Sequence, residues 1–310
     1  MRKGKVAKVI FLASCLALFF LLVSTLPQPA IAQQTEVPNF DYINPIINAI
    51  PQNASAMAEI KKDVEFFSSL GSRFTSYPGC EAAAEYIAQK FAAYGMNVEF
   101  FPYNVTLPVD EGAYIELPTE KVKLSPLLPN IVCPPQTPPG GIEGKLIYVG
   151  DGDTSDFDGK AIEGSIVIMD FNSEYHWIKA ANLGAKAVIF VEPSDTSVYE
   201  AKLKTVDLAW NFPRLYVKAE DANKLFAQIG KQVKLVSNMK IETVPATNVV
   251  AYLPGQTNQC ILLTAQFDSF SWVPSVAPGA RESIGVSILF QLAKFFSTNP
   301  TLHRYTYRLP

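Results

Sequence analysis

Prolines crowd one stretch of this chain. Pro118, Pro126, Pro129, Pro134, Pro135, Pro138 and Pro139 fall close together, and Gly140-Gly141 closes the run. Proline lacks an amide hydrogen and fixes φ near about −65°, so neither a helix nor a central strand can run through such a segment. Residues 112–140 are therefore expected to be irregular, and a domain junction is placed in or near them.

The two sides of that junction are patterned differently. Before it, Met57, Ile60, Val64 and Phe67 recur at helical spacing over 56–70, with Gly71 as a C-cap. A second helix is expected over 80–94, with Ala84, Ile87 and Phe91 on one face and Gly95 as its stop. "MNVEFFPYNV" then reads as a strand. After the junction come the strand "GKLIYVG", the turn-rich "DGDTSDFDGKAIEG", the strand "SIVIMDF", the helix "HWIKAANLGA", the strands "KAVIFV" and "PRLYVK", and a helix over 219–230. That order describes a small mixed sheet with helices alongside. "TNVVAYLPG" and "QCILLTAQFDSF" return to buried-strand character. A helix over 285–296 carries Val286, Leu289, Leu292, Ala293 and Phe296 inward. No internal repeat is present.

Composition narrows the function. The 310 residues are 48% hydrophobic and 18% charged, with net charge −3 and pI near 5.6. That is globular, and it offers no basic field for nucleic acid. Arg2, Lys3, Lys5 and Lys8 precede the apolar run 9–23, and Ala30-Ile31-Ala32 follows. This is an export leader with an A-x-A cleavage site after Ala32, which directs the chain to the periplasm or the extracellular space. Left uncleaved, it would be a membrane anchor. Leu12-Ala13-Ser14-Cys15 has the look of a lipoprotein box, but the apolar run continues past Cys15. From residue 33 to 55 the chain reads as an extended lead-in. Cys80, Cys133 and Cys260 are an odd set without a Cys-x-x-Cys pair, so neither a disulfide framework nor a thiolate zinc site is present. One bridge plus a free thiol, or three buried thiols, both satisfy this count.

The stretch "TAQFDSFSWVPSVAPGARESIG" places a strand, a loop with the carboxylate Asp268, and a helix in succession, which is where α/β proteins keep their sites. A metal at Asp268 would want a nitrogen ligand beside it, and the residue two positions earlier is Gln266. The chain has two histidines, His176 and His303. His176, next to Trp177, reads as structural, and His303 lies almost at the C-terminus.

The order of segments resembles the zinc aminopeptidase and glutamate carboxypeptidase family, metallopeptidase clan MH. "GSRFTSYPGCEAAAEYIAQKFAAYGMNVEFF" is similar to its opening turn and helix. "FDGKAIEGSIVIMD" with "WIKAANLGAKAVIFV" looks like the protease-associated insert of many members. "ILLTAQFDSF" with "APGARESIGVSILFQLAKFF" is similar to its first metal-ligand strand, loop and helix. The resemblance implies an α/β fold: the N-terminal part of a zinc-exopeptidase-like three-layer domain, interrupted by a small β-rich protease-associated domain. The boundaries expected are 1–32 leader, 33–111 and 246–310 peptidase-like, and 112–245 insert.

Active members end that strand in His-x-Asp and supply a second Asp from the loop, with other ligands and a catalytic glutamate further on. Two zinc ions then polarise the carbonyl and acidify a bridging water. Asp268 matches the Asp, Gln266 stands where the His belongs, and Arg281-Glu282 stand where the second Asp belongs. An amide oxygen is a poor zinc ligand beside an imidazole, and Arg281 would set a fixed positive charge beside a dication. Glu282 is the substitute carboxylate. The resemblance thus implies zinc for the family, a metal role for Asp268 and Glu282, and incomplete occupancy in this chain, with a peptide or a protein as partner. An ordinary loop-capping role for Asp268 stands level with the metal role. "SWVPSVAPGA" is similar to the nicastrin and transferrin receptor branch, whose members use the scaffold without a working dizinc site. "TLHRYTYRLP" carries Arg304 and Arg308 where the family has a buried strand, which suggests a truncation or frame change near Pro300.

Overall fold

Alternation decides how the middle of the chain packs. In a computed structural model, which describes residues 54–257, 259–300 and 306–309, β4 (Ile166–Asp170), β5 (Ala187–Val191) and β6 (Arg214–Val217) are parallel neighbours. Odd and even side chains leave opposite faces of a strand. Ile166, Ile168, Ala187, Ile189, Leu215 and Val217 thus build one apolar core. Val167, Met169, Val188, Phe190 and Tyr216 build another on the far face, around Trp177 of the short helix α3 (Trp177–Asn182). Strands buried on both faces read as unbroken apolar runs, which is why "IVIM" and "AVIFV" were legible. The expected leader, the lead-in as far as Asn53, and His303 lie outside the described residues. Among the described residues no helix is long and apolar enough to cross a membrane.

Four further strands complete this lobe. β2 (Lys121–Pro126) pairs with β6 and with β1 (Asn97–Glu116), β3 (Ile142–Tyr148) pairs with β4, and β7 (Gln232–Leu253) pairs with both β3 and β1. The pairings run β1-β2-β6-β5-β4-β3-β7 and back to β1, a closed circuit without a free edge. Helices α4 (Val198–Lys202) and α5 (Ala219–Phe226) flank it, and Ala222 and Leu225 of α5 join the first core.

The proline-rich stretch is less irregular than expected. β1 reaches Glu116, and β2 occupies the gap between Pro118 and Pro126. Proline is tolerated at a strand end, and Pro126 is the last residue of β2. β1 is also twice the length that "MNVEFFPYNV" suggested. Its first part and the second part of β7 form a two-stranded ribbon, with a bulge between Asp110 and Ala113 where the circuit begins.

The other lobe contains α1 (Ala54–Ser69), α2 (Pro78–Ala93) and α6 (Ser283–Thr298). Pro78 opens α2, where a missing amide costs nothing, and Glu81 and Lys90 suit the two ends of its dipole. Phe290 of α6 packs edge-on against Phe91, with ring centres 5.3 Å apart, and lies over Phe67. Two side chains contradict the inward faces expected of these helices. Met57 is 64% exposed, and Asp63 is buried in its place. Tyr86 donates to Asp63 Oδ1 at 2.6 Å and Lys90 Nζ lies 3.0 Å from it, so partners on α2 draw the carboxylate inward. Phe290 was missed and is fully buried.

The buried strand expected at "QCILLTAQFDSF" is also corrected. β8 is only Cys260–Leu262, at the end of the strand order, and Leu262 is 60% exposed. β9 (Thr306–Leu309) lies between it and β7, parallel to β8 and antiparallel to β7.

Both apolar cores of the closed circuit are built from residues 113–235, apart from Val273 and Val276. Residues 112–245 expressed alone are therefore expected to melt in one cooperative transition. A broad transition with dye-binding apolar surface would count against a separable domain.

Candidate functional site

The turn after α1 sets the site. Arg73 is fully buried. Its Nε donates to the Phe267 carbonyl at 2.9 Å, Nη1 to the carbonyls of Phe67 (2.9 Å) and Pro278, and Nη2 to that of Gly279 at 2.7 Å. Its backbone joins the same loop, with Arg73 N donating to the Ala277 carbonyl and Ser269 N donating to the Arg73 carbonyl, both at 3.0 Å. Ser72 Oγ donates to the Pro274 carbonyl at 2.5 Å. Two adjacent residues thereby tie the end of α1 to both ends of the loop between β8 and α6. Gly279, at φ +61°, is required there, because a Cβ would stand 2.8 Å from Arg73 Nη2. Burial pulls Arg73 below the usual arginine range, while the carboxylates of Glu282 and Asp268 act in the opposite sense. A guanidinium keeps its proton in such surroundings.

Asp268 leaves this anchored loop beside Thr75, whose Oγ1 donates to Oδ2 at 3.3 Å. The loop's far side is held by the other lobe. Leu128 N donates to the Trp272 carbonyl at 2.8 Å, and Val273, 5% exposed, enters the core around Trp177. Between the start of α2, the ribbon and the loop after β8 lies a cavity of about 450 Å³, lined among others by Thr75, Cys80, Ala84, Asn248, Gln266 and Asp268. Burial, reinforced by the Asp268 charge, pushes the Cys80 thiol up to about 11. It stays protonated at neutral pH, which makes it a poor nucleophile.

The structure brings Gln266 and Asp268 to one cavity. It does not bring Glu282 or Arg281 there: Glu282 is half-buried at the entry of α6, and Arg281 is exposed. A buried positive charge near Asp268 and Glu282 is Arg73, which the sequence presents only as part of a Gly-Ser-Arg turn. Nothing local in a single chain marks that arginine as buried. Among the described residues, one set of three His, Cys, Asp or Glu has its ligand atoms within 4.8 Å: Asp151, Asp153 and His176. It lies on a turn of the closed circuit, where His176 Nδ1 donates to the Asp151 carbonyl at 2.8 Å. Neither Asp268 nor Glu282 belongs to it. Among the described residues the cysteines are unpaired, and Cys260 is exposed, so neither a bridge nor three buried thiols describes them.

No family model and no curated protein matches the chain. Solved structures do. A zinc aminopeptidase from Bacillus subtilis is 18% identical with a TM-score of 0.54, over 82% of this chain and 60% of that one. An aminopeptidase from Aneurinibacillus sp. strain AM-1 is 23% identical with a TM-score of 0.40, over 81% and 61%. A peptidase M28 precursor from Shewanella amazonensis SB2B is 17% identical with a TM-score of 0.47, over 82% and 65%. The first of these carries the conclusion that the fold is α/β and zinc-aminopeptidase-like. The chain spans about three fifths of the length of the structures it matches.

Arg73→Lys keeps the charge and loses the fork that reaches four carbonyls. It is expected to cost about 2–4 kcal/mol, since several buried acceptors lose their donor, read as a lowered midpoint in urea. An unshifted midpoint would refute the anchoring role. In alkylation at pH 8, Cys260 is expected to react well before Cys80, and equal rates would show that the Cys80 thiol is not buried as described.

Proposed function

We propose that this chain is an exported protein of the zinc-aminopeptidase kind whose residues here carry an incomplete dizinc site, and that its cavity at Asp268 takes peptides. The observation that carries the reading is the cavity itself, at the loop between β8 and α6, with Gln266 and Asp268 in its wall. Its extended walls, the ribbon and the loop, suit a short peptide better than a compact metabolite.

The donor set argues against a working dizinc centre in these residues. Gln266 offers an amide oxygen, Glu282 stands outside the cavity, and Arg73 spends its charge on the same two carboxylates that a dication would need. Losing one partner of a ligand commonly costs about 10 to 100-fold in metal affinity or activity, and losing the base costs about 100 to 10,000-fold. Two readings of the consequence differ in class. In one, the chain is a degenerate copy of an aminopeptidase, favoured by Gln266 standing in the cavity wall where an imidazole would be needed. In the other it is a binding module that holds a peptide or a protein partner, favoured by the buried cation behind Asp268.

Zinc titration by calorimetry, aminoacyl chromogenic substrates with and without chelator, and titration with leucyl and alanyl tripeptides separate these. The expectation is no tight binding of two zinc ions, no chelator-sensitive turnover, and tripeptide binding that Thr247→Trp, which puts an indole on the β7 wall of the cavity, weakens about tenfold or more. Micromolar binding of two zinc ions with chelator-sensitive turnover would overturn the incomplete site. Peptide binding unaffected by Thr247→Trp would remove the cavity from the reading.

A further inference from the structure

The ribbon has a problem that its sequence answers. β1 meets β2 only from Ala113 onward, while β7 meets β3 at Gln232–Leu235 and β9 at Ala251–Leu253. Among the described residues, neither edge of the ribbon pairs with another strand between these points, and on β7 only Ser237 next to the bulge is bonded outward, to Thr137. Free edges of this length recruit other strands. The ribbon also exposes large apolar side chains: Phe100, Phe101 and Tyr103 are 50%, 44% and 48% exposed. Pro102 and Pro108 on β1 and Pro245 on β7 each remove one amide donor, a partial defence of the kind natural edges use.

Between Pro102 and Pro108 stands Asn104-Val105-Thr106. An asparagine two residues before a threonine, with no proline between, is the acceptor pattern for asparagine-linked oligosaccharide. Asn104 and Thr106 are both exposed and point to the same face of the strand. Across from them sit Pro245 and Thr243, neither of which is bulky, and Thr106 Oγ1 lies 2.8 Å from Thr243 Oγ1.

The geometry points to Asn104 as an acceptor of asparagine-linked oligosaccharide that shields the free edge of β1 and the exposed Phe100 ring on its own face. The donor is a lipid-phosphate-linked oligosaccharide, delivered by an oligosaccharyltransferase outside the cytosol. Asn104 Nδ2 forms a bond to the anomeric carbon of the first sugar as the bond from that carbon to the lipid phosphate oxygen breaks. The lipid phosphate leaves, the amide proton passes to the transferase base, and no atom is oxidised or reduced. Sugar rings present apolar faces that pack on aromatic side chains, and a branched polar chain at Asn104 blocks any strand from lying along β1. The inference rests on export, and its test is arranged so that the two fail separately.

The chain is recovered from its native producer after fractionation, and digested with trypsin. Asn104 then falls in one fragment, Phe91–Lys121. The expected result is an exported chain in which this fragment carries an oligosaccharide mass at Asn104. Asn104→Gln and Thr106→Val should abolish it, and Thr106→Ser should keep it. An exported chain whose fragment shows only its unmodified mass overturns the acceptor role. A chain found only in the cytosol overturns export, and the acceptor role falls with it. The shielding part is read by size-exclusion chromatography, where the Asn104→Gln chain should self-associate at concentrations at which the parent is monomeric. Unchanged elution of a chain shown to have lost its sugar overturns shielding.

Discussion

A buried guanidinium with no carboxylate in hydrogen-bond reach holds this molecule's site together. An isolated charge taken out of water costs several kcal/mol unless its protons are all used. Arg73 comes close to that condition, spending four of its five N–H donors on backbone carbonyls from the end of α1, the residue before Asp268, and the residues before α6. The loop between β8 and α6 has almost no regular structure, so its buried carbonyls have few donors of their own. One side chain supplies several at once, and it also fixes where Asp268 stands. A fork with five donors is the only natural side chain that can do this, which explains why a glycine must stand opposite it at Gly279.

The closed circuit repeats the device. Arg214 is fully buried and lies over the Trp177 ring. Its Nη2 donates to the Leu128 carbonyl at 3.0 Å and Nη1 to the Lys204 carbonyl. Burial alone pulls its guanidinium down to about 9. Leu128 in turn uses its amide on Trp272 of the site loop. The path from Arg214 through Leu128 and Trp272 thus meets the path from Arg73 within one loop, and each lobe contributes an arginine to it. Both arginines serve segments where proline or irregular backbone has removed the usual ladder of hydrogen bonds.

What could be read in advance follows from which forces are local. The parallel strands announced themselves because burial on both faces demands unbroken apolar runs, as in residues 166–169 and 187–191. The order of strand, loop and helix around Asp268 was legible too, although β8 is only Cys260–Leu262 and is not the buried strand that its apolar residues announce. The closing of the circuit was not, since β1 and β7 are amphipathic only in part and their pairing spans more than a hundred residues. Met57 shares helical spacing with Ile60, Val64 and Phe67, because periodicity counts apolar residues, yet it is exposed. Asp63 won the buried position through Tyr86 and Lys90 on another helix. At the site, Gln266 and Asp268 were named from spacing, whereas Arg73 was passed over, because its role depends on carbonyls some two hundred residues away.

The ribbon also bears on how such a molecule can change over time. Chain enters the closed circuit along β1 and leaves it along β7, and these two strands are paired neighbours, as at Asp110 opposite Met239. Cross-strand partners stand about 4.5–5.5 Å apart, a gap that a two-residue hairpin turn spans. The whole circuit could be gained, exchanged or lost at that point by recombination of coding sequence, with the helices and β8 on the near side keeping their connections. The bond of Leu128 to Trp272, and the packing of Val273 and Val276 of the site loop into the core around Trp177, would register the event.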